Sequence, residues 1–294
     1  MNFTAKDVQA LRERTGAGMM DCKKALVETD GDIEKAIDFL REKGLAKAAK
    51  KEGRIAAEGL VDDYREGNVA ALVEVNCETD FVAKTDRFKA FVKTIAKQVV
   101  EANPADLDAL MASEIDGQTV QALQTAAVAE IGEKISVRRF VRMEGAVDTY
   151  IHLGGSRGVI VQFAEECDRE AMHDVALQIA AASPVCVGRD DLPQEFIDRE
   201  RAVQLATAKE ENANSAKPKP DAIIEKMVDG RMQKYYKEVC LEEQQFVKNP
   251  DITIKEMLQQ KHASKVLAFV RFEKGEGIEK RKDNFAEEIA NMTK

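Results

Sequence analysis

The first part of the chain carries apolar residues at helical spacing, interrupted by two short polar breaks. Val8 and Leu11, for example, lie one turn apart on the same helical face. The pattern predicts a head of three short helices over residues 1–44, with Gly44 as the C-cap of the third helix. Residues 45–57 are rich in Ala, Lys and Gly, and they are interpreted as a linker.

An internal repeat follows the linker. Residues 58–64 and 144–150 are identical at five of seven positions, and repeats of this kind indicate a duplicated structural unit. Each copy continues into an apolar strand, a helix that ends before a proline, and a closing strand. The predicted inward-facing positions alternate along the two apolar strands, as strand geometry requires: Val69, Ala71 and Val73 in the first copy, and Val159, Val161 and Phe163 in the second.

The repeat predicts an α+β fold with two related subdomains, each an antiparallel sheet covered by helices on one face. The first subdomain spans 58–143. The second spans 144–187 together with 241–277, and the intervening residues 188–240 form an insertion.

The first copy contains an added loop around Asp80 and Phe81. From the cysteine after the strand to the proline after the helix there are 27 positions in the first copy and 17 in the second. Two interpretations of the loop remain open. Phe81 folds back onto the sheet edge while Asp80 caps the next helix, or Phe81 is an exposed aromatic anchor for a partner protein.

The insertion over 188–240 is predicted to be an antiparallel coiled-coil hairpin. Its arms carry apolar residues at helical spacing, with Phe196 and Val203 in the first arm, and its tip is polar and contains two prolines. Such a hairpin must bury its apolar stripe on itself or on another chain, so it could also mediate dimerisation. A last helix over 284–292 is predicted within the terminal module 278–294.

Composition narrows the functional classes. The 294 residues carry a formal net charge of −9, which argues against a general binder of the phosphate backbone. A basic stretch from Lys43 to Arg54 is interpreted as a solvated linker rather than a nucleic-acid contact. No apolar run is long enough for a membrane span, and the N-terminal residues lack the layout of a signal or transit peptide. These features predict a cytoplasmic protein.

Catalytic motifs are missing from the sequence. It contains no phosphate-binding Gly-x-x-x-x-Gly-Lys-Ser/Thr loop, no Gly-x-Ser-x-Gly elbow and no His-Glu-x-x-His pair. The five cysteines and three histidines are scattered, so we predict no catalytic residue, no cofactor, no metal site and no enzyme activity. One alternative is a metal-dependent enzyme that uses Glu78, Asp80 and Asp86, although no second cluster completes such a site.

Three stretches of sequence resemble one known family. Residues 11–26, residues 74–83 and residues 269–280 are similar to the N-terminal, second and closing signatures of the elongation factor Ts family. The resemblance implies a ubiquitin-associated-like head, a core of two subdomains and a coiled-coil protrusion. It also implies a single protein partner, elongation factor Tu, on which the family acts as a guanine-nucleotide exchange factor.

The resemblance assigns roles to particular residues. The segment Thr79, Asp80, Phe81 and Val82 would reach the partner's nucleotide site and displace its Mg²⁺, with Phe81 as the wedge and Asp80 in contact with the same region. The head would dock on the partner's GTPase domain through Met19, Met20 and Leu11, and His152 would touch a more distant domain. The alternative function is an adaptor whose head binds a helix without any effect on nucleotides.

Overall fold

The computed structural model describes residues 3–15, 17–215 and 217–279, so the predicted helix over 284–292 lies outside the described residues. The helices are α1 Ala5–Thr15, α2 Met19–Glu28, α3 Ile33–Ala49, α4 Asp80–Ala83, α5 Asp86–Ala102, α6 Leu107–Ala112, α7 Val120–Ile131, α8 Arg169–Ala182, α9 Gln194–Ala213, α10 Asp221–Val239 and α11 Ile254–Gln260. The strands are β1 Glu58–Glu66, β2 Val69–Cys77, β3 Glu114–Ile115, β4 Gln118–Thr119, β5 Ile135–Glu144, β6 Ala146–His152, β7 Arg157–Phe163, β8 Gln245–Phe246, β9 Asn249–Thr253 and β10 Val266–Glu273. The predicted α+β class is confirmed.

The head consists of α1, α2 and α3 around a small apolar core. Its buried residues are Val8, Leu11, Cys22, Ala25, Leu26 and Ala36. The prediction that Gly44 ends the third helix is wrong, because α3 continues to Ala49. A Cβ atom at Gly44 would lie 3.3 Å from the Cβ of Ala129 in α7. Gly44 therefore allows close contact between the head and the core, and the predicted linker begins inside a helix.

The first sheet has the strand order β1-β2-β5, with antiparallel neighbours throughout. One of its faces packs against α5, where Ala71 and Val73 meet Phe88 and Val92 in a continuous buried cluster. Ala71 and Val73 are buried, as the alternation along the strand predicted. Burial of each large apolar side chain in this layer contributes about 1.5–3 kcal/mol to the free energy of folding.

The second sheet repeats this arrangement, with β7 between β6 and β10 and α8 against one face. Val159, Val161 and Phe163 are buried against that helix, in agreement with the predicted inward positions. Both covering helices end at a residue in the left-handed conformation immediately before a proline: Asn103 after α5 and Ser183 after α8. Proline cannot continue a helix, so both ends are fixed by the same local rule.

The two sheets also pack face to face, which the sequence pattern did not predict. Val61, Leu72, Val147 and Ile160 form a buried cluster between them. A Cβ atom at Gly158 would lie 2.5 Å from a methyl carbon of Val61, so the absence of a side chain there allows the sheets to approach. The central strands are thus buried on both faces, which accounts for their nearly continuous apolar sequences.

Helices α9 and α10 form the inserted hairpin and bury most of their apolar stripe on each other. Its buried residues are Ala208, Ile224, Val228 and Met232. Phe196 and Val203 of the first arm are not part of this buried stripe, because both side chains are exposed. Ile197 and Leu205 occupy the inner positions of α9 instead. Within the described ranges, no helix combines the length and apolar character that a membrane crossing requires.

Candidate functional site

The added loop of the first copy contains α4, a single helical turn held at both ends by threonine side chains. Thr79 is its N-cap, and its hydroxyl accepts a hydrogen bond of 3.3 Å from the backbone N–H of Val82. Thr85 caps the following helix α5 by accepting a hydrogen bond from the N–H of Phe88. Each cap satisfies a donor that would otherwise lack an intrahelical partner, so the loop has a defined backbone.

Phe81 projects from α4 into solvent with 78% of its surface exposed. On the same turn, Ala83 is buried and Val82 packs against the first core, so Phe81 is directed outward. The interpretation in which Phe81 folds back onto the sheet is therefore wrong. Asp80 is not a helix cap either, because Thr79 is the N-cap of α4 and Thr85 is the N-cap of α5. A large exposed aromatic side chain on an ordered turn is typical of a protein-binding anchor.

Asp80 lies beside Phe81 and pairs with Lys84, whose Nζ is 2.6 Å from a carboxylate oxygen. The hydrogen bond from Lys84 lowers the pKa of Asp80. Both side chains are largely exposed, so this pair contributes little to stability. It keeps an ionised carboxylate and a cation on the same turn as Phe81.

Cys77, the last residue of β2, forms a hydrogen bond with the beginning of the loop. Its buried thiol donates to the carbonyl oxygen of Thr79 at 3.1 Å. Burial, together with the nearby charge of Glu133, raises the pKa of Cys77 to about 12. The thiol therefore stays protonated and can act as a donor over the physiological pH range.

The alternative metal site at Glu78, Asp80 and Asp86 is not supported by the geometry. Glu78 pairs with Arg54 at 2.9 Å and Asp80 pairs with Lys84, so two of the three carboxylates already face cations. In the ranges that the structure covers, no three His, Cys, Asp or Glu side chains are grouped as metal ligands would be.

In the head, the structure separates the three residues to which docking was assigned. Met20 is 74% exposed and Met19 is 44% exposed at the start of α2. Leu11 is fully buried in the core of the head, so its assignment as a direct contact has to be corrected. It supports the surface on which the two methionines lie.

The basic stretch after the head is partly neutralised. Lys43 and Lys47 each approach Asp21 within 2.9 Å, and Arg54 pairs with Glu78. Cations engaged in this way offer less charge to a phosphate backbone. The interpretation as a solvated linker needs correction for the first part of the stretch, because Lys43 and Lys47 belong to α3.

His152 ends β6 and belongs to a small cluster of rings. The hydroxyl of Tyr150 is 3.1 Å from Nδ1 of His152. The ring of Tyr150 also packs edge-on against the ring of His173. His173 in turn lies 3.3 Å from a carboxylate oxygen of Asp148. The side chain of His152 is therefore held by neighbours and is only partly buried.

Leu153, which follows His152 in the turn between β6 and β7, was not among the predicted contact residues. Leu153 is 73% exposed and has a φ of 48°, a backbone conformation that is unfavourable for leucine. The turn is fixed to the first sheet, because Gly155 accepts a hydrogen bond of 2.8 Å from the N–H of Val61. A leucine at the edge of a glycine-rich turn was the signal available in the sequence.

The predicted contact residues thus lie on three separate elements: the start of α2, the α4 loop and the β6–β7 turn. The family model described as Elongation factor TS matches residues 78–276 of the 294. The match begins one residue before Thr79 and includes the α4 loop, the second sheet and the hairpin.

Proposed function

The chain belongs to the elongation factor Ts family, and we propose that it releases GDP from elongation factor Tu by inserting Phe81 beside the partner's nucleotide site. Membership of this family implies, in general, a nucleotide-exchange factor for elongation factor Tu. The observation that supports the specific role of Phe81 is its 78% exposure on a turn that is capped at both ends.

Exchange of this kind requires no covalent chemistry. A protein that binds the nucleotide-free partner more tightly than the GDP-bound partner lowers the partner's GDP affinity by the same factor. Within the proposal, Thr79, Asp80, Phe81 and Val82 form the segment that displaces the partner's Mg²⁺. An exposed aromatic side chain that becomes buried only in the open complex stabilises that state, typically by about 2 kcal/mol or more.

Two further surfaces would hold the partner while the wedge acts. In the proposal, Met19 and Met20 of the ubiquitin-associated-like head contact the GTPase domain, and thioether side chains suit such adaptable apolar contacts. His152, with the neighbouring Leu153, contacts a second domain. Anchoring at separated points confines the loop near its target, which raises its effective concentration there.

The setting of this activity would be translation elongation in the cytoplasm. The hairpin is proposed to contribute either to partner contact or to pairing of two copies, and its exposed Phe196, Val203 and Ile223 are the apolar residues available for that purpose. Light scattering of the purified protein, alone and with elongation factor Tu, would distinguish a dimer from a one-to-one complex.

The proposed function is tested with elongation factor Tu that carries a fluorescent GDP analogue. Excess unlabelled GDP is added, and loss of fluorescence is followed with and without small amounts of this protein. Acceleration by far less than one equivalent would support exchange. Binding without acceleration would favour the adaptor function, for which the exposed Met19 and Met20 also provide a surface. A lack of both binding and acceleration would refute elongation factor Tu as the partner of this protein.

A further inference from the structure

Glu133 lies just after α7 and reaches the base of the α4 loop, 54 residues earlier in the sequence. Its Oε2 accepts hydrogen bonds from the backbone N–H groups of Glu78, at 3.1 Å, and Thr79, at 3.0 Å. Its Oε1 accepts a hydrogen bond of 2.7 Å from the hydroxyl of Thr79. One carboxylate therefore binds three donors on two consecutive residues, and charge-assisted bonds of this type are stronger than neutral ones.

The contact is reciprocal, which makes it rigid. Glu78 Oε1 accepts a hydrogen bond of 2.7 Å from the backbone N–H of Lys134. The ammonium group of Lys134 donates to the carbonyl oxygens of Glu52, at 2.6 Å, and Arg54, at 3.0 Å. The start of the loop and the end of α7 thus exchange side chain–backbone hydrogen bonds in both directions.

The hydroxyl of Thr79 connects this contact to Phe81. A hydroxyl has one hydrogen to donate and can also accept. Thr79 donates that hydrogen to Glu133, which leaves its oxygen free to accept from the N–H of Val82 as the N-cap of α4. The same oxygen therefore orders the turn that carries Phe81.

We propose that Glu133 is a positioning residue for nucleotide release, because it fixes the base of the α4 loop and so presents the Phe81 side chain in one orientation. This inference rests on the proposed function of Phe81 as the wedge. Without Glu133, the two N–H groups and the hydroxyl would form hydrogen bonds with water instead. The loop would then have to become ordered when the partner binds. Ordering a loop at that stage reduces the free energy available for the complex.

The test is a double-mutant cycle on the full-length protein. GDP release from elongation factor Tu is measured over a range of factor concentrations for the wild type, Glu133→Ala, Phe81→Ala and the double variant. We expect Glu133→Ala to lower the maximal release rate by on the order of tenfold, the equivalent of about 1.4 kcal/mol, with a smaller change in the concentration needed for half-maximal rate. In the Phe81→Ala background, the same substitution should have less than about a twofold effect, because the side chain it positions is gone.

Two further variants separate positioning from general damage. Glu133→Gln keeps an oxygen that can accept from the two N–H groups, so it should restore most of the rate lost in Glu133→Ala. Glu101→Ala removes another partly exposed glutamate, paired with Lys97 in α5, and should release GDP at the wild-type rate. Amide hydrogen exchange in the free protein should accelerate at Glu78 and Thr79 in Glu133→Ala.

Several results would overturn the inference. An equal loss of rate from Glu133→Ala in both backgrounds would show that Glu133 acts independently of Phe81. A wild-type rate for Glu133→Ala, with a slow Phe81→Ala, would refute the role of Glu133 while leaving the proposed function intact. A wild-type rate for Phe81→Ala would refute the proposed function and this inference with it. Unchanged amide exchange at Glu78 and Thr79 would show that Glu133 does not hold the loop.

Discussion

Glu74, a fully buried carboxylate on β2, accepts a hydrogen bond of 2.8 Å from the backbone N–H of Gly275, which lies 201 residues later in the chain. Arg138 and Arg139 on the neighbouring strand β5 also donate to it, at 2.9 and 2.6 Å. One side chain therefore joins the first sheet to the turn that follows the last strand of the second sheet.

The first prediction concerns the stability of this junction. Glu74→Ala should lower the free energy of unfolding by about 3–5 kcal/mol, because it leaves two guanidinium groups and a backbone N–H without their shared acceptor. Glu144→Ala is the matched control, since its carboxylate pairs with Arg142 at 3.2 Å at an exposed position, and it should cost less than about 1 kcal/mol. Urea denaturation of both variants measures the difference, and similar losses would contradict the prediction.

The second prediction concerns the pH dependence of stability. Burial by itself raises the pKa of Glu74, but the hydrogen bonds from Gly275, Arg138, Asn76 and Arg139 outweigh it and lower that pKa below the ordinary value. A lowered carboxyl pKa gives stability that is present above the unfolded value of about 4.3 and is lost as the pH falls through the folded value. Wild-type stability should therefore fall below about pH 4.3, and Glu74→Gln should show a shallower fall. Urea unfolding at a series of pH values from neutral to acid tests this, and parallel curves would contradict it.

The third prediction compares two phenylalanines of the same segment. Phe81 is exposed, whereas Phe88, seven residues later in α5, is fully buried in the core between that helix and the first sheet. Phe81→Ala should change the free energy of unfolding by less than about 0.5 kcal/mol while slowing GDP release from elongation factor Tu by at least about tenfold. Phe88→Ala should lower the free energy of unfolding by about 3–5 kcal/mol. Thermal unfolding and the fluorescent-GDP assay, applied to both variants, check the two expectations; an unstable Phe81→Ala would remove the first.

The fourth prediction concerns the turn that carries His152 and Leu153. A Cβ atom at Gly155, where φ is 93°, would lie 2.7 Å from a methyl carbon of Leu60, whereas one at Gly154, where φ is 62°, would meet nothing within 4 Å. Both positions strain an L-residue, but Gly155→Ala adds a steric clash with the first sheet. We expect Gly155→Ala to lower the melting temperature more than Gly154→Ala does and to weaken binding of elongation factor Tu. Equal effects of the two substitutions would argue against this account.

The fifth prediction separates the core of the head from its surface. Leu11→Ala should lower stability by about 2–5 kcal/mol, because it leaves a cavity in the small core of the head. Met20→Ala removes an exposed side chain and should leave stability within about 0.5 kcal/mol of the wild type while weakening the affinity for elongation factor Tu. Circular dichroism on heating gives the first quantity and isothermal titration calorimetry the second. Unchanged affinity in Met20→Ala would place the docking surface elsewhere.

Local sequence rules predicted the inward-facing strand positions, the ends of the covering helices and the position of the added loop. Period-two alternation identified Ala71, Val73, Val159 and Val161 as inward-facing, because successive side chains of a strand point to opposite faces. The two covering helices end before Pro104 and Pro184, because proline has no backbone N–H to donate and its ring clashes with the preceding helical turn. The length difference between the copies located the loop that carries Phe81, since an insertion into a repeated scaffold is visible by counting.

Only the tertiary structure determined the features that depend on long-range contacts and on the burial of individual side chains. A glycine such as Gly44 often ends a helix, but α3 continues through it to Ala49, and the missing side chain leaves room for Ala129 of α7. Leu11 and Met20 are both apolar residues of the head, but one is buried and the other exposed, because three helices leave room for few side chains in their core. The sequence determined the head helices, the repeated strands and helices, the hairpin and the loop. The long-range contacts of Glu74 and Glu133 arose only when distant segments folded together, because no local pattern specifies which donor a carboxylate will meet.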